Sequence, residues 1–219
     1  MKFSLSDLDG MEKRYRARLI NSLSGYKSAN LVGTTDSQNG TNLAIISSVF
    51  HVGADPALVG MLFRPASVPR HTLENILNNR AYTVNQVHSQ IIEQAHQTSA
   101  RYEREQSEFS AVGLTPEYSD KVAAPYVKES RLKFGVELAS HQTIELNQTV
   151  LVIGRIVEVI VEDEAIQPDG YIDIDAMNAV SITGLDSYHS GQRISRLSYA
   201  KPSQEVQRLS VDGSEGDSD

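Results

Sequence analysis

Residues 29–52 read ANLVGTT (29–35), DSQNG (36–40) and TNLAIISSVFHV (41–52). Both outer runs are rich in aliphatic and β-branched residues, which suit a pleated, half-buried surface. Asn39-Gly40 between them is a strong short-range hairpin signal, because a tight hairpin turn needs residues that accept positive φ. An antiparallel pair this early in the chain sets the fold class.

Downstream the pattern repeats. ALVGMLF (57–63) is a third strand behind the turn residues Asp55-Pro56. HTLENILNN (71–79) is a short helix with Leu73, Ile76 and Leu77 on one face and Pro69 just ahead of it. AYTVNQV (81–87) is a strand, and IIEQAHQTSARYERE (91–105) has helical composition interrupted near Gln97 to Ser99. Phe109 to Pro125 is irregular. Strand patterns return in YVKESRLKFGVEL (126–138), NQTVLVIGRIVEVIVED (147–163) and YIDIDAMNAVSIT (171–183). Upstream, Met11, Tyr15, Leu19 and Leu23 fall at i, i+4 spacing with Arg14, Arg16 and Arg18 between them, and Gly25 follows as a stop. This predicts an amphipathic helix with a basic outer face. At least seven strands and two or three helices, without βαβ alternation or a fixed repeat, predict one mainly β domain. Its architecture is a closed or split antiparallel barrel with inserted helices.

The chain has 219 residues, no Cys, no Trp and a net charge of −8. Without Cys there are no disulfides, thiolate metal sites or Cys nucleophiles. The acidic balance speaks against nucleic acid as a partner. No run approaches a membrane span, and the start lacks a signal-peptide core, so a cytoplasmic location is expected. Residues 203–219 hold five acids against Arg208 alone, half the net charge, with few apolar residues. Such a segment predicts a disordered acidic tail. The organisation expected is an N-terminal helix (1–25), a barrel domain (26–202) and the tail.

No dinucleotide fingerprint, phosphate-binding P-loop or nucleophile elbow occurs. The six His residues show no metal-ligand spacing, so no metal is expected. Three polar clusters remain. Thr41 to Ser48 places Ser47 and Ser48 in an apolar strand, either as ligand contacts or as ordinary solvent-facing residues. Arg64-Pro65 and Pro69-Arg70-His71-Thr72 gather guanidiniums, an imidazole and a hydroxyl at a predicted helix start. That set suits a phosphate, and equally a capped helix with solvated arginines. His96-Gln97-Thr98-Ser99 offers donors and acceptors for a polar heterocycle, or a helix end with capping residues.

The order of several pieces is informative together. They are Asn42-Leu43-Ala44 with Ser47; Asp55-Pro56-Ala57-Leu58-Val59; Arg70-His71-Thr72-Leu73-Glu74-Asn75-Ile76; Tyr82-Thr83-Val84-Asn85; and His96 to Ala100. Ser107-Glu108-Phe109 with Gly113-Leu114-Thr115-Pro116, then Tyr188-His189 and Tyr199-Ala200-Lys201-Pro202, complete the series. From about Tyr26 to Pro202 the chain resembles the flavin reductase-like family of FMN-binding split barrels, which includes flavoredoxin and the reductase components of two-component monooxygenases.

The resemblance implies a six-stranded Greek-key split barrel and a homodimer with FMN near the subunit interface. It places Asn42, Leu43, Ala44, Ser47 and Ser48 along the isoalloxazine. Arg70 and Thr72, with Arg64 and His71, would hold the phosphate, and His96, Gln97, Thr98 and Ser99 would approach the ring or ribityl chain. His96, Tyr188 and His189 would line the nicotinamide side. The activity it implies is NAD(P)H-dependent flavin reduction, with a monooxygenase or redox protein as a partner. The alternatives are a flavoredoxin-type electron carrier and a non-catalytic flavin-binding barrel. With no thiol in the chain, a bound flavin would have to carry the electrons.

Overall fold

In the computed structural model, which describes residues 1–38, 40–65 and 68–216, two short helices open the chain: α1 (Leu5–Gly10) and α2 (Lys13–Ser22). The periodicity predicts one helix here, and capping divides it. Ser4 and Asp7 cap the first helix reciprocally, while the Glu12 carboxylate accepts from the Arg14 and Tyr15 amides to start the second.

The strands and helices that follow are β1 (Lys27–Ser28), β2 (Asn30–Thr35), β3 (Thr41–Ile46), β4 (Val49–Ala54), β5 (Ala57–Phe63), α3 (His71–Asn79) and β6 (Ala81–Gln86). Next come α4 (Ile92–Gln97), α5 (Glu108–Val112), β7 (Pro116–Glu117), β8 (Tyr126–Val127), β9 (Leu132–Ile144) and β10 (Thr149–Val161). The chain closes with β11 (Val180–Thr183), β12 (Ser187–Ser190), β13 (Arg196–Leu197) and β14 (Arg208–Leu209). β2 and β3 form the expected antiparallel pair, from Asn30 opposite Ile46 to Thr35 opposite Thr41. Asn39 lies outside the described residues. The connection is held by the Asp36 carboxylate, which accepts from the Gln38 and Gly40 amides at 2.8 Å each.

Seven strands share one antiparallel sheet in the order β3-β2-β6-β9-β10-β5-β4, one more strand than the resemblance implies. β3 and β4 are therefore its two opposite edges, yet only Ser47 and Ser48 separate them in the chain. Three Cα steps span at most about 11 Å. A flat sheet of seven strands would hold its edges roughly 29 Å apart. The sheet must curl until its edges meet at Ser47-Ser48, which gives a barrel split along one seam.

Buried residues confirm the curl. One cluster draws Val32, Val59, Met61, Phe63, Tyr82, Val84, Val136, Leu138 and Val152 from five strands across the sheet. Strands so far apart in sheet order meet only inside a barrel, and Leu73 and Ile76 of α3 plug one end of it. A second cluster, with Leu31, Leu43, Ile91, Ala95, Phe109 and Ile182, lies between the barrel wall, α4, α5 and the small sheet β1-β11-β12. β2 is buried on both faces because it serves both clusters.

Two further stretches read differently in the folded chain. Within 171–183 only β11 is strand, because the Asp173 carboxylate accepts from the Asp175 and Ala176 amides and turns the chain. In the segment expected as an acidic tail, β14 pairs with β13. Nearby, Arg196 donates to Asp169 at 2.5 Å and stacks 4.2 Å above the Tyr171 ring.

One buried group lacks a partner. The Tyr82 hydroxyl is fully enclosed in the barrel with no hydrogen bond among the described residues, and burial pushes its phenol well above the ordinary tyrosine range. An unsatisfied buried hydroxyl costs about 1–3 kcal/mol. Tyr82→Phe should hold or raise the midpoint of denaturant unfolding. A clear fall in that midpoint would mean the hydroxyl has a partner.

Candidate functional site

The seam is built around the open edge of β3. An edge strand leaves every second N–H without a ladder partner, and bare edges invite unwanted pairing. Here side chains occupy them. The Leu43 amide donates to the Glu108 carboxylate of α5, and the Ile45 amide to the Thr98 hydroxyl just after α4, both at 2.9 Å. At the start of the strand the Thr41 and Ser107 hydroxyls meet at 2.6 Å. Ser47 is next in this alternation, and neither its hydroxyl nor its amide has a hydrogen bond among the described residues. Free edge donors therefore begin where the chain crosses the seam. Ser48 is tied to β5, its hydroxyl donating to the Leu62 carbonyl at 2.7 Å.

Thr98 also explains where α4 stops. Its hydroxyl donates back to the Ala95 carbonyl at 2.8 Å while accepting from Ile45, so the helix ends inside the 91–105 stretch. Burial lifts the Glu108 carboxyl above its ordinary range, while the Leu43 amide and the charge of His71 pull it back.

Two residues beyond Leu62 lies Arg64, at the start of a corner completed by α3. The Arg70 guanidinium sits 3.4 Å from the carbonyl of Pro65, the residue after Arg64, through both Nε and Nη2. Neither arginine has a carboxylate partner among the described residues. Glu74, one turn on, accepts from the Arg70 amide and is neutralised by Arg104. The first-turn amides of His71, Thr72 and Leu73 have no partner among the described residues, as is usual for a helix start. Thr72 is buried, and its hydroxyl accepts from the Asn42 amide group at 2.9 Å. Asn42 also donates to Thr34, so its side chain is committed within the protein. Leu43 is core. A guanidinium with no carboxylate partner and three N–H groups with no partner among the described residues suit an anion such as a phosphate.

A third group sits beyond α4. His96 Nδ1 lies 3.0 Å from the Tyr188 hydroxyl, with the rings edge to face. Burial, then the Asp186 carboxylate, push the Tyr188 phenol upward. His189 contacts Tyr26 edge to face, and its Nε2 lies 2.9 Å from the Thr183 hydroxyl. Gln97 donates to Tyr102 at 3.3 Å, and the Ser99 amide donates to the His96 carbonyl.

A cleft of about 460 Å³ lies elsewhere, at the far end of α4, and includes His88, Lys128, Ser130 and Lys133. Its buried polar groups are already engaged. His88 Nδ1 accepts from the Gln90 amide and Nε2 faces the Glu129 carbonyl, Lys133 pairs with Glu117, and Ser130 donates to the Gln86 carbonyl. Groups so paired offer a ligand little to bind.

Residues 23–178 match the model of the flavin reductase like domain, about 70% of the chain. The chain belongs to this family. Among solved structures it is 56% identical to a protein with a split barrel domain from Shewanella frigidimarina NCIMB 400, with a TM-score of 0.88 over 91% of this chain and 100% of that one. Nitrilotriacetate monooxygenase component B from Bacillus cereus shares the fold at 20% identity and a TM-score of 0.78, covering 89% and 97%. Flavoredoxin of Desulfovibrio vulgaris (Miyazaki F) does so at 23% and 0.70, covering 93% and 98%.

Within this flavin reductase-like domain Ser48 is tied to Leu62 and Arg70 to Pro65, on either side of Arg64 in the chain, and Thr72 is tied to Asn42. Thr98 is tied to Ile45. The His96-Tyr188 pair and His189 form a separate polar group. Sequence reasoning gave no role to Glu108 or Arg104. Ser107-Glu108-Phe109 stood out only as part of a pattern, and no spacing rule connects Glu108 to an amide 65 residues away.

Proposed function

We propose that this protein binds FMN and acts as an NAD(P)H-dependent flavin reductase. The α3 corner supports the reading: among the described residues Arg64 and Arg70 have no carboxylate partner, and the first amides of α3 have none either, at the end of a flavin reductase-like barrel. Arg70 and Arg64 would hold the phosphate together with the first turn of α3, and Ser47 and Ser48 would meet the polar edge of the ring. Bound flavin would supply the hydride acceptor. The chain's contribution is to hold and orient the reactants and to keep water out. His96, Tyr188 and His189 would border the nicotinamide. No side chain is assigned as acid or base.

A second copy of the chain would cover one exposed apolar face. Leu62 of β5 lies opposite Leu151 of β10, and Phe50 of β4 packs over Gly60, itself opposite Ile153. These side chains share one face, and Phe50 and Leu62 stay 41% and 38% exposed in the single chain. Such a patch marks an interaction surface.

The test is an anaerobic titration of FMN-loaded protein with NADH and NADPH, followed at the flavin band. Bleaching by either nicotinamide is the expected result. Bleaching only by a reduced protein partner would indicate the flavoredoxin-type role, and failure to take up FMN would overturn both.

A further inference from the structure

Neither α1 nor α2 contains a buried residue. Arg16 reaches back to the Leu8 and Asp9 carbonyls, which joins α2 to α1. Lys27 donates to the Asn21 and Gly184 carbonyls at 3.0 and 2.9 Å and ties the end of α2 to the β11–β12 turn. Tyr15, Leu19 and Leu23 form one row at i, i+4 spacing, and the row is open: Tyr15 is 56% and Leu23 72% exposed. Arg14 and Arg18 flank it on one side and Arg16 on the other. α2 contains no acid. Among the described residues none of Lys13, Arg14, Arg16 and Arg18 has a carboxylate partner.

The opposite end of the chain presents a complementary surface. The β13–β14 arm is held to its own chain through Arg196, which meets Asp169 and the Tyr171 ring. Its other side is bare. Leu197 and Tyr199 alternate with the half-buried Arg196 and Ser198, and Tyr199 is 89% exposed. Glu205, Asp212 and Glu215 are exposed, and among the described residues none has a cationic partner.

We propose that α2 of one copy docks on the β13–β14 arm of a second copy, apolar row against apolar side and arginines against acids. Each surface is tethered to the body of its own chain and left open there, and a two-fold pair of copies makes the contact twice. Opposite charge sets the pairing, and the apolar side chains supply the buried area. A chain of net charge −8 is repelled by an anionic lipid surface, which favours the acidic arm over a membrane as the occupant. This docking rests on the reading of the protein as a homodimer and adds a second contact to the face around Phe50 and Leu62.

The experiment measures the dimer dissociation constant of the full chain by sedimentation equilibrium at roughly 0.1 M salt. Arg14→Glu with Arg18→Glu should weaken association about 10-fold, and so should Glu205→Lys with Glu215→Lys, because each reversal is felt at both contacts. All four together should bring it back to within about 3-fold of wild type. Lys121→Glu with Lys128→Glu changes the net charge as much as the arginine reversal does, and should stay within about 3-fold of wild type. Leu23→Ser, which changes no charge, should also weaken the dimer. Association indifferent to both reversals, or weakened by each and not restored by all four, overturns the proposal and leaves the barrel-face contact in place. A protein that stays monomeric at every concentration sinks both. Wild-type binding to phosphatidylglycerol vesicles that the arginine reversal abolishes would give the helix to a membrane surface and overturn the docking.

Discussion

Arg70→Ala should weaken FMN binding by about 10- to 100-fold, the range expected for losing one charge-assisted hydrogen bond of roughly 1.5–3 kcal/mol, and leave riboflavin binding unchanged. Among the described residues the guanidinium contacts one carbonyl at 3.4 Å, a long contact, so little internal structure is lost with the side chain. Its charge, by contrast, has no counterion among the described residues. Arg70→Lys should fall between the two, because it keeps the charge and loses the planar fork. Thr72→Ala should lose less, since its hydroxyl already accepts from Asn42. Parallel titrations with the two flavins separate a phosphate contact from a general loss of the site. Equal weakening of both would place Arg70 against the ring or the fold instead.

The sequence carried the local parts of this structure and lost the global ones for an identifiable reason. The strand at 57–63 and the helix at 71–79 follow from periodicity and flanking turn residues, and the structure places them at those residues. TNLAIISSVFHV reads as one β run because nothing local marks Ser47-Ser48 as a corner. That corner exists because β3 pairs with β2 and β4 with β5, and sheet order is decided by pairings made far along the chain. The same holds for the site. Arg64, Arg70 and Thr72 are near in sequence, so their chemistry is visible as a cluster. Glu108 acts through Leu43 and Thr98 through Ile45, across 65 and 53 residues. Only the folded chain shows that two buried polar side chains occupy the edge where the sequence suggests a ligand-facing strand.

The barrel wall behind that edge is where a single methyl group should do most damage. Gly33 lies in the middle of β2, between Leu43 of β3 and Thr83 of β6. A Cβ there would stand 2.1 Å from the Pro125 carbonyl oxygen and 2.6 Å from the Thr83 hydroxyl. The obstruction is backbone, and it is held in place. Thr83 donates to that same carbonyl at 2.6 Å, the Val127 amide donates to Asn85 at 2.9 Å, and Thr35 reaches the Ala123 carbonyl at 3.1 Å. Accommodating the methyl means lifting residues 123–127 off the sheet and giving up buried hydrogen bonds. Gly33→Ala should therefore cost about 3 kcal/mol, the upper part of the usual range for overpacking. For a chain of this size that lowers the midpoint of thermal unfolding by roughly 6–12 °C. Gly53→Ala in β4 is the matched control, since its Cβ would meet only the Pro56 carbonyl at an ordinary 3.6 Å. It should stay within about 0.5 kcal/mol of wild type. Calorimetry on the two variants decides the matter: a Gly33→Ala protein as stable as Gly53→Ala would mean that residues 123–127 do not press on the wall, and that the outer layer carrying β8 is loosely attached.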